Sequence, residues 1–195
     1  MQCFAHKCNT IKSIKSAYDN QFRCFEIDIS LNTVGNLTIV HDVEDINDPQ
    51  NCDINDIVNT FSGCTLMLDL KARGIGQAVD LARKVMESIK LHQKNTYMIC
   101  SFNEYCVAEL IELKEHYDFK YEVGVISSGI PLGMFKHLEV DFISLEYSIL
   151  NDDIKTNVEK GIKLYAFTVN SQHGKNICQL LGLDGIIYDS VGKMV

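Results

Sequence analysis

The sequence predicts an α/β fold, a compact (β/α)8 barrel of the TIM type, on the basis of three observations. Short apolar segments alternate with longer amphipathic segments along the chain, as expected for βαβ units with a parallel sheet. Roughly eight such units fit into the 195 residues, a trimmed version of a barrel that typically needs about 250 residues. An open doubly wound sheet is disfavoured because no GxGxxG or GxxxxGK(S/T) loop follows a predicted strand.

The strands are predicted from short apolar runs that are bounded by polar or turn residues. They are Gln2–His6, Cys24–Ser30, Leu37–His41, Leu66–Lys71, Thr96–Phe102, Tyr121–Ser127, Phe142–Tyr147, Lys163–Asn170 and Gly185–Tyr188. The helices are predicted from apolar residues at helical spacing. They are Thr10–Tyr18, Gly76–His92, Glu104–His116, Asp153–Lys160 and Gln172–Leu181. No repeat, low-complexity tract or linker interrupts this pattern, so we expect one domain over residues 1–195.

The composition excludes several classes of protein. Hydrophobic residues make up 46% of the chain, enough for a sizeable core and too many for a disordered chain. The formal net charge is −8 with no basic stripe, which argues against a nucleic-acid partner. No segment approaches the roughly 20 apolar residues of a membrane helix, and the N-terminus lacks a signal-peptide stretch. We therefore expect a cytoplasmic protein without stable membrane insertion; the oligomeric state is not indicated.

Eight cysteines are spread along the chain, and no two of them form a CxxC motif. Several of these cysteines fall inside apolar strand-like runs. This distribution favours buried thiols in a reducing compartment over a disulfide framework or a zinc site.

Carboxylates occur at the same end of successive predicted strands. Glu26 and Asp28 in FEIDIS are two residues apart and therefore point to one face of their strand, and Asp69 and Lys71 in LDLK repeat this spacing. In a parallel barrel the carboxyl ends of the strands meet at one face, where active sites lie. Three convergent carboxylates suit Mg²⁺ or Ca²⁺ better than zinc, and Lys71 would supply a positive charge for a phosphate.

Two histidines end the first and third predicted strands. His6 and His41 could transfer protons, one accepting a proton from a nucleophile and the other protonating a leaving oxygen. Each residue alone would more often be a structural histidine, but their occurrence beside the carboxylates favours an acid–base pair. The remaining histidines are interpreted as structural; they are His92, His116, His137 and His173.

In these motifs the chain resembles the glycerophosphodiester phosphodiesterases, a family of (β/α)8 barrels in the phosphatidylinositol-phospholipase-C-like superfamily. The resemblance covers nearly the whole chain and rests on AHK, the Asn9-Thr10 pair, FEIDIS, LTIVHD, LMLDLK, ICSF, GIKLYAFTVN and LGLDGIIYD, in that order. It implies hydrolysis of a small phosphodiester such as glycerophosphocholine with a divalent cation, Mg²⁺ or Ca²⁺. The implied roles are acid–base catalysis by His6 and His41, metal binding by Glu26, Asp28 and Asp69, and phosphate binding by Lys7 and Lys71.

The chain departs from the family pattern at several places. Lys7 stands where the family has arginine, Asp69 where it has glutamate and Phe167 where it has tryptophan, and two loops are shorter. The compact spacing from His6 to Glu26 and the Asp in LDLK are similar to the sphingomyelinase-D-type phospholipases of the same superfamily. Two alternatives therefore stay open: phospholipase D activity on choline (lyso)phospholipids, and a barrel that binds phosphate without turnover. No exposed apolar or basic loop for membrane binding is evident in the sequence.

Overall fold

The computed structural model describes residues 1–129, 138–154, 158 and 161–189, and its strands form a closed parallel barrel with one added antiparallel strand. The strands are β1 (Gln2–His6), β2 (Cys24–Leu31), β3 (Leu37–Ile39), β4 (Thr65–Leu70), β5 (Thr96–Ser101), β6 (Tyr121–Ser127), β7 (Phe142–Glu146), β8 (Lys163–Phe167) and β9 (Gly185–Asp189). The α-helices within these ranges are α1 (Ile11–Asp19), α2 (Ile54–Thr60), α3 (Ile75–Ile89), α4 (Glu104–Leu113) and α5 (Gln172–Leu180). The predicted fold class is confirmed.

The barrel closes where β1 pairs with β9 on one side and with β2 on the other. The β1–β9 pairing is parallel and runs in register from Gln2 opposite Gly185 to His6 opposite Asp189. The first and last strands of the chain therefore end side by side at the carboxyl end of the barrel, which we call the mouth.

The barrel interior is filled with apolar side chains below the mouth. These residues are Phe4, Met67, Met98, Cys100, Ile126, Phe142, Tyr165 and Ile187. The rings of Phe142 and Tyr165 meet edge to face, with centroids 5.6 Å apart. A side chain at Gly124 would begin only 2.3 Å from the Phe142 ring, so only glycine leaves room for this packing. The barrel interior below the mouth is therefore a packed core.

The helices cover the outside of the barrel with their apolar faces. In α3, Leu81, Val85, Met86 and Ile89 are fully buried, and each such side chain contributes roughly 1.5–3 kcal/mol through burial. Helix α1 begins at Thr10, whose hydroxyl accepts a hydrogen bond from the Ser13 amide at 3.0 Å. None of the helices in the described ranges is both long and apolar enough to cross a membrane.

A β-hairpin adds one strand, β3, that is not part of the closed barrel. The end of β2 extends past the mouth and turns through Asn32–Asn36, where Gly35 adopts a positive φ of 82°. Strand β3 then runs back antiparallel to β2, with Ile39 opposite Ile29. This return brings the residues that follow β3 to the level of the mouth.

Several element predictions differ from the structure. The predicted strands Leu37–His41 and Lys163–Asn170 end earlier, at Ile39 and Phe167, and the predicted helix Gly76–His92 ends at Ile89. Helix α2 was not predicted, because its seven residues are too few to show a helical period. Helix α4 ends at Leu113, three residues before the predicted end at His116. In the predicted helix Asp153–Lys160, Asp153 lies in a turn, and most of the rest lies outside the described residues.

All eight cysteines are free thiols, and five of them are buried. Burial raises the pKa of Cys8 and of Cys106, each to about 12, so these thiols stay protonated at neutral pH. The buried thiols therefore behave as small apolar side chains of the core.

Candidate metal and acid–base site

Three buried carboxylates converge at the mouth. The parallel register of β2 and β4 sets Asp28 directly opposite Asp69, and Glu26 points to the same face as Asp28. One oxygen atom from each of the three side chains lies within 4.8 Å of the others. The residues are only 4%, 1% and 5% exposed in the order Glu26, Asp28, Asp69. Such a cluster needs compensating positive charge, because buried anions are strongly disfavoured without partners.

The carboxylates fit a hard divalent cation. Burial, together with the neighbouring Asp28 and Asp69, raises the pKa of Glu26 well above its usual range. Burial also raises the pKa of Asp69 to about 6, although Lys71 opposes the shift. The Oδ1 atom of Asp69 is buried and has no hydrogen-bond partner among the residues that the structure describes. An all-oxygen donor set with an unpartnered buried oxygen is suited to Mg²⁺ or Ca²⁺.

Lys71 supplies positive charge to this cluster. Its ammonium group forms ion pairs with Asp69 and with Asp28, the latter at 2.9 Å from Oδ1. Burial would lower the pKa of Lys71, but the carboxylates of Asp69 and Asp28 outweigh this effect and raise it. Lys71 therefore stays charged and lies at the edge of the cavity described below.

The chain that follows β1 holds two of the carboxylates in place. Asn9 bonds Asp28 twice: its Nδ2 donates to Oδ2 at 2.7 Å, and its Oδ1 accepts from the Asp28 amide at 2.9 Å. The Lys7 amide donates to Oε2 of Glu26 at 2.7 Å. Lys7 adopts a left-handed backbone conformation with φ of 50°, which is unusual for a residue with a side chain. Its own side chain is exposed at the rim of the mouth.

His6 is held by residues from the opposite end of the chain. Its Nδ1 lies 2.5 Å from Oδ1 of Asp189. Asn170 in turn donates from Nδ2 to Oδ2 of Asp189 at 2.6 Å and accepts from the Asp189 amide at 2.9 Å. The Nε2 atom of His6 is 3.9 Å from Oε2 of Glu26, on the side of the metal-binding cluster. Burial lowers the pKa of His6, with Asp189 opposing the shift, so the imidazole is neutral at pH 7.

His41 reaches the mouth through the β2–β3 hairpin. The amide of Val40 bonds the carbonyl oxygen of Asp28 at 3.1 Å, which fixes His41 beside the end of β2. The Nδ1 atom of His41 lies 2.7 Å from Oδ1 of Asp42. The side chain of His41 is 37% exposed, against 16% for His6. In both histidines, a carboxylate oxygen therefore lies within hydrogen-bonding distance of Nδ1. His6 is the less exposed of the two, and His41 lies at the rim of the site.

A cavity of about 280 Å³ unites these groups. One wall is polar and includes His6, Glu26, His41, Asp69 and Lys71. The remaining lining residues are mostly apolar and come largely from the strands across the barrel; they include Cys100, Phe102, Ile126, Phe167 and Ile187. The cavity therefore offers a charged surface for a phosphate and a largely apolar surface for the rest of a substrate.

All seven residues that the sequence singled out lie at this site. Six line the cavity, and Asp28 is buried behind it, bonded to Lys71 and Asn9. The positioning contacts of Asn9, Asn170 and Asp189 were not predicted; in the sequence these residues appear only as polar residues at or after strand ends, within motifs of the family resemblance. Outside the cavity lining are His92, His116 and His173, and His137 lies outside the described residues.

Comparison with known proteins agrees with the fold. No protein-family model and no curated protein matches the sequence. A phosphodiesterase from Oleispira antarctica, solved with its product sn-glycerol-3-phosphate, is similar with a TM-score of 0.83 and 20% identity over 97% of this chain and 93% of that one. A glycerophosphodiester phosphodiesterase from Parabacteroides distasonis is similar with a TM-score of 0.79 and 19% identity over 96% and 92% of the two chains.

The same fold also occurs in an unrelated enzyme. The tryptophan synthase complex of Pyrococcus furiosus is similar with a TM-score of 0.63 and 14% identity over 97% of this chain and 86% of that chain. Barrels of this type support many reactions, so the shared fold by itself does not assign one. The resemblance seen in the sequence is thus confirmed at the level of the fold, and the chemistry must be argued from the site.

Proposed function

We propose that the protein is a metal-dependent phosphodiesterase that hydrolyses a glycerophosphodiester-type substrate with His6 and His41 as its acid–base pair. The observation that carries this proposal is the convergence of two carboxylate-bound histidines on a buried three-carboxylate cluster in one cavity. A barrel that only bound phosphate would need no pair of proton-transfer groups.

The metal ligands in this proposal are Glu26, Asp28 and Asp69. A bound Mg²⁺ or Ca²⁺ would neutralise charge on the phosphoryl oxygens and act as a Lewis acid. Lys71 remains charged beside the cluster and attracts the phosphate to the polar wall. The exposed ammonium group of Lys7 at the rim adds a second positive charge.

The two histidines divide the proton transfers according to their positions. His6 is neutral and partly buried, and its Nε2 accepts the proton of an attacking water as the new P–O bond forms. Asp189 stabilises the imidazolium that results, since it accepts the Nδ1–H. His41 lies at the open rim and donates a proton to the leaving oxygen as the old P–O bond breaks. The products are a phosphomonoester and an alcohol, and the proton count balances when the two histidines exchange protons with solvent.

The named relatives support this assignment. The Oleispira antarctica protein is a phosphodiesterase, and the Parabacteroides distasonis protein is a glycerophosphodiester phosphodiesterase. Both match more than nine-tenths of this chain. Residues from several of the family motifs lie at the site. A barrel that shared only the fold would not need these residues there.

Hydrolysis assays test the proposal directly. Purified protein is incubated with glycerophosphocholine and related diesters in Mg²⁺, Ca²⁺ or EDTA, and the phosphomonoester is measured. We expect turnover with a divalent cation and none in EDTA; activity that survives chelation would remove the metal from the proposal. His6→Ala and His41→Ala should each lower kcat about 100-fold or more. His173→Ala, exposed on α5 and outside the cavity, is the matched control.

Product analysis separates this reaction from the alternative phospholipase D activity. Glycerol phosphate supports the proposal, whereas a cyclic phosphate with release of choline supports the sphingomyelinase-D-like reaction. Metal binding without hydrolysis of any diester would favour a non-catalytic phosphate-binding barrel.

A further inference from the structure

A single buried hydroxyl group lies across the cavity from the carboxylates. Ser144 is on β7, which is the strand directly opposite β2 in the order of the eight-stranded barrel. The residue is 1% exposed and lines the cavity. Its Oγ atom has no hydrogen-bond partner within the described part of the chain. Buried hydroxyl groups without partners are rare, because they lose their bonds to water on folding.

The surroundings of Ser144 do not explain a serine at this position. Its neighbours in the barrel interior are Ile126 on β6 and Tyr165 on β8, which face it in register. The lining also includes Met67, Cys100 and Ile187, so an alanine would suit this part of the cavity as well as a serine. By contrast, the hydroxyl of the buried Ser101 bonds the Leu70 carbonyl oxygen at 2.6 Å.

We propose that Ser144 is a specificity-determining residue. Of the two alcohols that the phosphodiester joins, one is a small polyol, and Ser144 forms a hydrogen bond with a hydroxyl group of that alcohol. This inference rests on the proposed function and specifies which half of the diester enters the cavity. The phosphate lies on the polar wall near Lys71, and the hydroxylated alcohol, of the glycerol class, extends towards β7. The second alcohol, which leaves, points out of the mouth past His41.

The size of the cavity is consistent with this orientation. A volume of about 280 Å³ corresponds to on the order of nine water-sized groups, enough for a glycerol phosphate unit. The interior beneath is filled by Phe4, Met98, Phe142 and Tyr165, so a long acyl chain has no path inward. Selectivity then arises because an analogue without hydroxyl groups would leave the Ser144 hydroxyl unpaired.

The test compares two small phosphates in calorimetric binding experiments with Mg²⁺ present. The first is sn-glycerol 3-phosphate, and the second is n-propyl phosphate, which has the same carbon chain without hydroxyl groups. We expect the wild-type protein to bind the first about five- to tenfold more tightly, as one added hydrogen bond allows. Ser144→Ala should remove this preference while leaving the affinity for n-propyl phosphate unchanged. Equal affinity of the wild-type protein for the two phosphates, or binding of neither, would overturn the proposal.

Stability measurements separate recognition from a structural role. Ser144→Ala removes an unpaired buried hydroxyl, so the melting temperature should stay the same or rise. Ser101→Ala is the control: it removes a satisfied hydroxyl, should lower the melting temperature and should keep the preference for sn-glycerol 3-phosphate. Loss of the preference in both variants would refute a specific role for Ser144.

This experiment is independent of turnover. If the wild-type protein shows the preference but hydrolyses no diester, the proposed function fails and the binding role of Ser144 stands. If it hydrolyses diesters but binds the two phosphates equally, the proposed function stands and the role of Ser144 fails.

Discussion

The Nδ1 atom of His6 lies 2.5 Å from Oδ1 of Asp189, and this contact joins the first strand of the barrel to the last. The two residues are 183 positions apart in the chain and meet only because β1 and β9 pair in register to their ends. The carboxylate fixes the Nδ1–H tautomer of the ring and leaves Nε2 to face the cavity. Asn170 forms two further hydrogen bonds with Asp189, and these bonds fix the position of the carboxylate.

Replacing Asp189 by Asn should therefore impair proton transfer more than binding. We expect kcat to fall about 10- to 100-fold, part of the 10²–10⁴-fold that a general base contributes, with little change in KM. The acidic limb of the pH–rate profile should move to lower pH, because Asp189 raises the pKa of His6. Steady-state kinetics across pH provide both readouts.

Asp118→Asn, an exposed substitution far from the mouth, is the control for Asp189→Asn. If Asp189→Asn lowered kcat and the melting temperature together and left the pH profile in place, the residue would be structural and not a positioning residue.

Replacing Asn9 by Ala should weaken metal binding without removing a metal ligand. Asn9 holds both the side chain and the backbone amide of Asp28, and residues that orient metal ligands typically affect affinity 10- to 100-fold. We expect the affinity of the variant for Mg²⁺ or Ca²⁺, measured by calorimetry, to fall by a factor within about this range. Asn20→Ala, which removes only a bond at the end of α1, should bind the metal like the wild-type protein. Unchanged affinity in Asn9→Ala would show that Asp28 needs no such support.

Replacing Lys71 by Met should destabilise the metal-free protein and make its stability more dependent on metal. The substitution leaves Asp28 and Asp69 buried without their positive partner, which costs about 3 kcal/mol, the lower end for a broken buried ion pair, because Lys71 is partly exposed. Urea unfolding in EDTA measures this loss. Added Mg²⁺ should recover part of it, because a bound cation neutralises the same carboxylates. The control Lys163→Met removes a more exposed ion pair with Glu122. Mg²⁺ should stabilise this variant no more than it stabilises the wild-type protein.

Local patterns in the sequence were sufficient to predict much of the site. Glu26 and Asp28 are two residues apart on one strand, as are Asp69 and Lys71, and this spacing determines their common face before any long-range contact is known. The alternation of strand and helix then predicted the barrel, whose parallel strands bring these faces to one end.

Contacts that depend on register could not be predicted in the same way. The role of Asp189 depends on the pairing of the first and last strands, which no local pattern encodes. The unpartnered hydroxyl of Ser144 depends on what surrounds it in the closed barrel. Helix α2 was missed because seven residues are too short for the period to be recognised, although Asp53 caps it.

The metal-free protein should lose stability as the pH rises through about 6. Burial raises the pKa of Asp69 from 3.8 to about 6, so in this range the folded chain holds a proton that the unfolded chain has released. The stabilisation from this proton is complete below about pH 4 and is lost as Asp69 ionises in the folded state. Glu26, whose pKa is also raised, adds to the effect in the same direction.

Asp69→Asn isolates this contribution, because the amide cannot ionise. In EDTA, the free energy of unfolding of the wild-type protein should fall relative to that of Asp69→Asn between about pH 4 and pH 7, as measured by urea titrations. A difference that stayed constant over this range would contradict the raised pKa. With Mg²⁺ present, the wild-type protein should gain more stability at pH 7.5 than at pH 5, because the cation replaces the proton on ionised carboxylates. The protonation that stabilises the empty cluster therefore competes with metal binding.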